Sequence, residues 1–240
     1  MVDLPTRAYE AADAPALAAM FNEIEKHGGG HPGYTPDELD NYLNTVLRDV
    51  TTDSRLVFAP DGALVAAALT CPPPEGGFRA DVMGGVLPQW RGRGIGRDLL
   101  AWQLARATDI NNAVAPDARW EIHAFATMGD DDPPRLFRRF GMTPLRYWFE
   151  MVASTADAPE LELPAGLWVL PYAVTFDKEL HAAHMDAFSD HWGYQYRSFA
   201  VWSSLTIHSD GFLPELSVLA LDGDELAGYV LSYKDADPAR

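Results

Sequence analysis

The sequence contains a single cysteine, Cys71, in 240 residues. A lone cysteine excludes a disulfide within the chain and is typical of proteins from reducing compartments. Long hydrophobic runs are lacking too, since no stretch approaches the roughly 18 apolar residues that a membrane-spanning helix needs. The apolar letters APALAAMF near the N-terminus lie among acidic residues and follow no basic segment, which argues against a secretory signal. We therefore predict a cytoplasmic protein with no membrane partner.

Basic residues are scarce. The chain has 18 lysines and arginines against 35 aspartates and glutamates, which gives a formal net charge of −17 at pH 7 and a pI near 4.6. Such a field opposes binding to nucleic acid and to anionic membranes and favours small cationic partners. A composition of 48% hydrophobic and 22% charged residues is that of a folded globular chain. A homodimer is compatible with these numbers.

Turn and capping signals divide the first 155 residues into strands and helices. The predicted strands are 5–11, the two arms of a hairpin at 54–71 that turns at Pro60-Asp61-Gly62, 78–88, 119–127, and one or two strands within 141–154. The predicted helices are 13–27, 35–50, 96–110 and 131–140. Asp13, Thr35 and Asp131 or Asp132 stand where N-caps belong. This order predicts a mixed α/β sheet rather than a regular βαβ alternation.

Three glycines and three arginines occur in LPQWRGRGIGRDLL, residues 87–100, at the predicted turn from a strand into a helix. Unpaired N–H groups at a helix N-terminus bind anions, and glycines let a phosphate approach them. The glycines run G-x-G-x-G, whereas a dinucleotide-binding turn needs G-x-G-x-x-G with an acidic residue about 20 positions later, where this chain has Asn112. A P-loop needs G-K-S/T, but Gly96 is followed by Arg97. The pattern therefore predicts a phosphate site of a different kind.

This stretch resembles the acetyl-CoA motif of the GNAT N-acetyltransferase superfamily, Q/R-x-x-G-x-G/A, since Arg91, Gly94 and Gly96 match it in register. The resemblance covers residues 1–155 and implies a mixed, mostly antiparallel sheet flanked by helices. It also implies acetyl-CoA as cosubstrate, with its pyrophosphate on the loop, its pantetheine arm along the preceding strand, and its thioester oxygen near the amide of Val86 or Leu87. The residues implied to bind it are Gly85, Val86, Leu87, Arg91, Gly92, Arg93, Gly94, Ile95, Gly96 and Arg97.

Acetyl transfer to an amine needs a base. Glu121 and His123 share one face of the fifth predicted strand by period-two alternation and are the candidate catalytic residues, with Asp81 next. An ordinary solvated strand face is the alternative for this pair. The resemblance implies that His27, His31 and Tyr34 line the acceptor pocket, although on position alone they equally fit a surface loop.

The chain departs from the family pattern at three positions. Phe137 stands where many members have the tyrosine that protonates the departing thiolate, Asp130 stands for a frequent asparagine, and Pro133 for a helix alanine. These differences bear on catalysis more than on cofactor binding. Two functions follow: an N-acetyltransferase that acetylates a primary amine of a small molecule by direct attack, or a non-catalytic acyl-CoA-binding or scaffolding module.

The last 85 residues repeat the opening order of strand, helix, helix and hairpin. His31-Pro-Gly-Tyr aligns with His191-Trp-Gly-Tyr, and Asp61-Gly with Asp222-Gly. The arrangement resembles the tandem GNAT group that includes mycothiol synthase, in which the second domain is catalytic. We predict a complete domain at 1–155, a linker at 156–164 and the first half of a second domain at 165–240, either natural or from a shortened or cleaved chain. His181 and His184 with His191 are explained as core or solvated histidines, and no metal is predicted.

Overall fold

A computed structural model describes residues 4–149, 151–154, 156 and 162–234, and the fold below refers to these residues. The N-terminal part forms a five-stranded sheet in the order β1-β2-β3-β4-β5. The strands are β1 (Thr6–Arg7), β2 (Ser54–Phe58), β3 (Leu64–Cys71), β4 (Arg79–Val86) and β5 (Glu121–Ala124). β1 to β4 pair antiparallel, and β4 pairs parallel with β5. The predicted mixed, mostly antiparallel sheet is confirmed.

Helices cover both faces of this sheet. They are α1 (Ala14–Gly28), α2 (Pro36–Val46), α3 (Val50–Asp53), α4 (Ile95–Val114) and α5 (Asp132–Arg139). Every residue of β3 is buried, because Leu69 and its neighbours pack under α1 and α2 while Ala66 and Ala68 pack under α4. A strand buried on both faces is a continuous apolar run, as Leu64–Cys71 is.

Local signals explain where α1 and α2 begin and end. Thr35 caps α2 by accepting a hydrogen bond from Glu38 N (3.3 Å). Asp13 precedes α1 as predicted, but its carboxylate does not cap the helix. It binds Arg7 and accepts from Glu10 N (2.9 Å) in the preceding 3-10 turn instead. α1 ends at Gly29, whose φ of 77° is readily adopted only by glycine.

β4 and β5 stop pairing after Val82. The parallel ladder runs from Arg79 to Val82 only, whereas β4 continues to pair with β3 as far as Val86. Among the described residues, no strand pairs with the β5-facing edge of β4 from Met83 to Val86. Buried Gln103 on α4 stabilises this region, because its Nε2 donates to Leu69 O (2.8 Å) and to Met83 O (2.6 Å).

The C-terminal part forms a second, antiparallel sheet in the order β6-β7-β8. Its strands are β6 (Leu167–Pro171), β7 (Val218–Asp222) and β8 (Glu225–Val230), and its helices are α6 (Asp177–Ala187) and α7 (Phe199–Leu205). The order of elements repeats that of the first part. α1 and α6 begin 163 residues apart, at Ala14 and Asp177, and α2 and α7 begin 163 apart, at Pro36 and Phe199.

The two parts contact each other through α2 and α7. Asn41 Nδ2 donates to Ser204 O (3.1 Å), and Ser204 Oγ donates to Asn41 Oδ1 (3.0 Å). Thr45 Oγ1 lies 3.2 Å from the same Ser204 hydroxyl. Asn41 and Ser204 are each the sixth residue of their helix, so equivalent positions of the two helices meet.

The prediction of one or two strands within 141–154 is wrong for the described residues. Residues 142–149 and 151–154 form no strand, and side chains such as Phe149 and Met151 are 78% and 92% exposed. β-propensity reflects packing against neighbours, so an aromatic run without a partner strand has no reason to extend. The predicted boundary at Thr155 and most of the linker lie outside the described residues.

We expect Gln103→Met to lower the free energy of unfolding by about 1–3 kcal/mol, because it removes the donor to two strand carbonyls without changing the side-chain volume much. Urea unfolding measures the change. Gln89→Met, on an exposed side chain, is the matched control and should be neutral. Equal stability of the two variants would show that Gln103 does not hold β3 and β4 in this way.

Candidate active site

The glycine-rich loop joins β4 to α4. A 3-10 turn at Pro88–Trp90 leads into Gly92 (φ 75°) and Gly94 (φ 89°), and α4 begins at Ile95 with Gly94 as its N-cap. A side chain is strained at these φ values. Asp98 N is bonded to Gly94 O (3.1 Å), so the amides of the first turn before it have no partner within the helix. The loop is thus shaped to present N–H groups and the positive end of the helix dipole to an anion.

Arg91 braces this loop. Its Nε donates to Val86 O (3.2 Å), and its guanidinium forms an ion pair with the largely buried Asp130 (2.8 Å) and a longer one with Asp132 (3.4 Å). The Arg91 charge is therefore already paired within the protein. Asp130, noted in the sequence only as a departure from the family pattern, is the partner that sequence reasoning missed.

The other two arginines of the motif are closer to solvent. Arg93 lies over the Trp90 ring, 4.4 Å from its centroid, and donates to Gln89 O (3.2 Å). Arg97 is 60% exposed and pairs with Asp98 at 3.1 Å. Exposed pairs of this kind are weak, so both guanidinium groups can turn towards an anion bound at the start of α4.

The open edge of β4 lies next to the loop. A Cβ added at Gly96 would lie 3.5 Å from Val86 Cγ2, so the two parts of the predicted cofactor site are contiguous. A Cβ at Gly84 would lie 2.2 Å from Ala67 O, and one at Gly85 would lie 2.8 Å from Ile24 Cδ1. Close packing of β4 on the backbone of β3 therefore requires glycine at position 84, whereas at position 85 the Ile24 side chain would have to shift.

The backbone amides of the three residues predicted to pair with pantetheine do not all point the same way. Leu87 N donates to Val65 O (2.9 Å), so this amide is already bonded. Successive backbone amides of a strand point to opposite sides. The Gly85 amide therefore faces β3, as the Leu87 amide does, and the Val86 amide faces the open edge. Val86 N–H is the one of the three that faces the open edge of β4.

Glu121 and His123 lie on one face of β5, as the alternation predicts. Glu121 Oε2 is 3.0 Å from His123 Nε2, and the Glu121 side chain is 57% exposed while that of His123 is 15% exposed. Asp81 of β4 is directly opposite His123 in the parallel ladder. The structure therefore brings all three candidate bases together.

Asp81 is a half-buried carboxylate in a charged setting. Burial raises its pKa from the ordinary value, and the nearby cations Arg79, His123 and Arg197 oppose that rise. Arg79 Nε lies 3.3 Å from Asp81 Oδ1, outside hydrogen-bond geometry, and within the described part of the chain neither buried atom has a hydrogen-bond partner. Burial also raises the pKa of the neighbouring Cys71 thiol to about 12, so this cysteine stays protonated.

The three residues predicted to line the acceptor pocket do not lie in equivalent surroundings. Tyr34 packs on Phe21 with ring centroids 5.2 Å apart and exchanges two hydrogen bonds of 2.9 Å between its backbone and Asn22. His27 lies in the last turn of α1 and His31 on the connection that follows, and both are exposed. The end of α1 meets the loop after β5, where Thr127 Oγ1 donates to Glu25 Oε2 (2.8 Å).

Side chains from the C-terminal part also reach this face, which sequence reasoning missed. Trp192 stacks on His123, Gln195 bonds the start of β4, and Arg197 lies within electrostatic reach of Asp81. The repeat of His-x-Gly-Tyr located this loop in the sequence, but nothing in the pattern indicated where it packs.

Among the described residues no group of three or more His, Cys, Asp or Glu side chains is arranged to hold a metal. His181 is 9% exposed, its Nε2 lies 2.8 Å from Arg197 O, and His184 Nδ1 lies 2.7 Å from the Tyr229 hydroxyl. Within the same residues, no helix has both the length and the apolar character needed to cross a membrane.

No protein-family model and no curated protein matches the sequence. Solved structures do match. A GCN5-related N-acetyltransferase from Sphaerobacter thermophilus aligns over 98% of this chain and 73% of its own at 24% identity, with a TM-score of 0.72. A protein from Pyrococcus horikoshii, described as an acetyltransferase, aligns over 97% of this chain and 69% of its own at 14% identity, with a TM-score of 0.52. The chain has the GNAT fold, as the motif predicted.

We expect Asp81→Asn to raise stability at pH 7. Burial raises the folded-state pKa of Asp81. The protonated carboxyl therefore stabilises the wild-type fold at low pH, and this stabilisation is lost as pH rises through the folded-state pKa. The gain of the variant in urea midpoint should therefore shrink as pH falls towards 4. Asp61→Asn, in the exposed β2–β3 turn, is the control. An Asp81→Asn protein that is less stable at pH 7 would contradict the assigned effect of burial.

Proposed function

We propose that the protein is an N-acetyltransferase that transfers the acetyl group of acetyl-CoA to a primary amine of a small molecule. One observation carries the proposal: a glycine-rich helix N-terminus stands directly beside an unpaired strand edge. Similar folds in proteins named acetyltransferases support it. We further propose a cytoplasmic location, and a domain division at 1–155, 156–164 and 165–240 in which the C-terminal part is a partial second copy.

The residues present fit acetyl-CoA. Gly92 has no heavy atom within 4 Å of the place where its Cβ would stand, and together with Gly94 it leaves room for a diphosphate at the first amides of α4. Arg93 and Arg97 add positive charge there. The Val86 N–H and the open edge of β4 suit the amide-bearing pantetheine arm, which would pair as a strand does. When bound, acetyl-CoA would supply an activated acetyl thioester.

Proton removal from the attacking ammonium falls to β5. We assign His123 as base, with Glu121 at its Nε2 fixing the orientation of the ring. Asp81 is the alternative base, since burial already favours its protonated form. The acidic field of the whole protein draws a cationic amine towards this face.

The rival function is a non-catalytic acyl-CoA-binding or scaffolding module. Phe137 favours it, because a phenyl ring cannot protonate a departing thiolate. Measuring acetyl-CoA binding and CoA release across a panel of amines separates the two: saturable acetyl-CoA binding without CoA release on any amine supports the module, and CoA release supports the enzyme.

Gly94→Val should weaken acetyl-CoA binding by about 10-fold or more, since a β-branched side chain at the N-cap blocks the approach of a diphosphate and its charge-assisted hydrogen bonds. Calorimetry measures the affinity. Gly62→Val, at φ 87° in the β2–β3 hairpin, carries the same backbone strain away from the site and should bind normally. Gly96→Ala should also bind normally, since its Cβ would make ordinary contacts with Leu136 and Val86. Unchanged affinity in a folded Gly94→Val protein would overturn the site.

His123→Ala should lose roughly 10²-fold or more in kcat/KM for the amine while keeping its affinity for acetyl-CoA, and wild-type kcat/KM should rise with pH through the pKa of the base. Glu121→Ala should lose less, because it acts through the histidine ring. Wild-type activity in both single variants would exclude this pair and move the role to Asp81, tested with Asp81→Asn.

A further inference from the structure

The loop between α6 and α7, residues 188–198, docks on the first sheet beside the candidate bases. Gln195 makes three hydrogen bonds to the start of β4: its Oε1 accepts from Phe78 N (2.8 Å) and Arg79 N (2.7 Å), and its Nε2 donates to Arg79 O (3.2 Å). The amide side chain thus pairs with β4 as a neighbouring strand would. This contact joins positions more than 100 residues apart and places the loop at a defined register.

Trp192 of this loop covers the face of His123. The two rings are nearly parallel, at 23°, with centroids 5.8 Å apart. Trp148 lies against Trp192 with ring centroids 6.1 Å apart, and the Arg146 guanidinium stands 5.0 Å from the centre of the Trp192 ring. The outer wall of the site is therefore aromatic and carries a cation.

Arg197, two residues after Gln195 in the same loop, is half-buried. Its charge lies within electrostatic reach of Asp81 and of the Tyr42 hydroxyl of α2. Among the described residues, no carboxylate forms an ion pair with the Arg197 guanidinium within 4 Å. A half-buried guanidinium without such a pair retains its capacity to bind a carboxylate in bidentate fashion.

Three arginines lie in this region of an acidic molecule. Arg79 lies 3.3 Å from Asp81, Arg146 lies over the Trp192 ring, and Arg197 lies within electrostatic reach of Asp81, although the whole chain has a net charge of −17. A site for a simple cationic amine needs only the carboxylates. Arginines placed opposite them suit a ligand that carries both charges.

We infer that the α6–α7 loop completes the acceptor site of the first sheet and that the acceptor is an amine bearing a carboxylate, an amino-acid-like molecule. Its ammonium lies towards Asp81 and Glu121, Arg197 binds its carboxylate, and Trp192 closes the outer side while holding the His123 ring. Arg197 and Trp192 are specificity-determining and positioning residues. The inference rests on the proposed acetyltransferase function.

The test compares amines that differ only in the carboxylate. L-Lysine with cadaverine, L-tyrosine with tyramine and L-tryptophan with tryptamine are assayed for CoA release from acetyl-CoA. The wild type should prefer the amino acid of the best pair by about 10-fold or more in kcat/KM. Arg197→Gln should abolish that preference by raising the KM for the amino acid alone, and Arg197→Lys should keep part of it. Arg48→Gln, at an exposed arginine, is the control.

Trp192→Ala should raise the KM for both members of a pair and change the pH dependence of kcat, whereas Trp192→Phe should restore both. Trp168→Ala, at the half-exposed tryptophan of β6, is the control. Calorimetry of acetyl-CoA with each variant gives unchanged affinity if the loop serves the acceptor only.

The outcomes distinguish the inference from the function beneath it. A protein that binds no acetyl-CoA overturns both. A protein that binds acetyl-CoA and acetylates the decarboxylated amines as well as or better than the amino acids overturns the inference and keeps the acetyltransferase. An Arg197→Gln variant with an unchanged preference overturns the role of Arg197. L-Lysine, L-tyrosine and L-tryptophan titrated into the CoA-saturated protein give a second readout, and binding of none of them contradicts the inference.

Discussion

The ion pair between Arg91 and Asp130 holds together the three segments that frame the candidate cofactor site. Arg91 belongs to the glycine-rich loop, its Nε bonds the last carbonyl of β4, and Asp130 follows β5 and leads into α5. Both side chains are largely buried, so removing either partner would leave an uncompensated charge, at a cost of about 3–5 kcal/mol. β4 and β5 do not pair beyond Val82, so this ion pair links the end of β4 to the segment that follows β5 where their ladder has ended.

Local signals in the sequence predicted much of the fold. Thr35 capping α2, the Pro60-Asp61-Gly62 turn and the glycines before α4 act within a few residues, and each was predicted correctly in place. The glycine-rich turn before α4 could be predicted because Gly92 and Gly94 supply the positive φ that it needs, whatever the rest of the chain does. The position of Glu121 and His123 on one face followed from strand alternation alone.

What depended on distant contacts could not be predicted. The Arg91 charge reads as a free cation in the sequence, and only the fold shows Asp130 paired with it. Residues 142–154 have strand propensity, but without a neighbour to cover Phe149 they do not form one. Trp192 and Arg197 come close to Asp81 and His123 from the α6–α7 loop, which lies in the C-terminal part of the chain. Such a contact has no local signature, because the pairing is set by how the two sheets pack.

The meeting of α2 with α7 through the sixth residue of each helix has a consequence for assembly. Equivalent positions touching each other are the mark of a two-fold axis, the arrangement found where two identical subunits form an isologous pair. Here both halves belong to one chain, so their association does not depend on protein concentration, and a small polar contact such as that of Asn41 with Ser204 persists at any dilution. The two halves are also free to diverge in sequence, so that one carries the glycine-rich loop before α4 while the other places its α6–α7 loop on its neighbour's sheet, an asymmetry that a homodimer of identical chains cannot adopt.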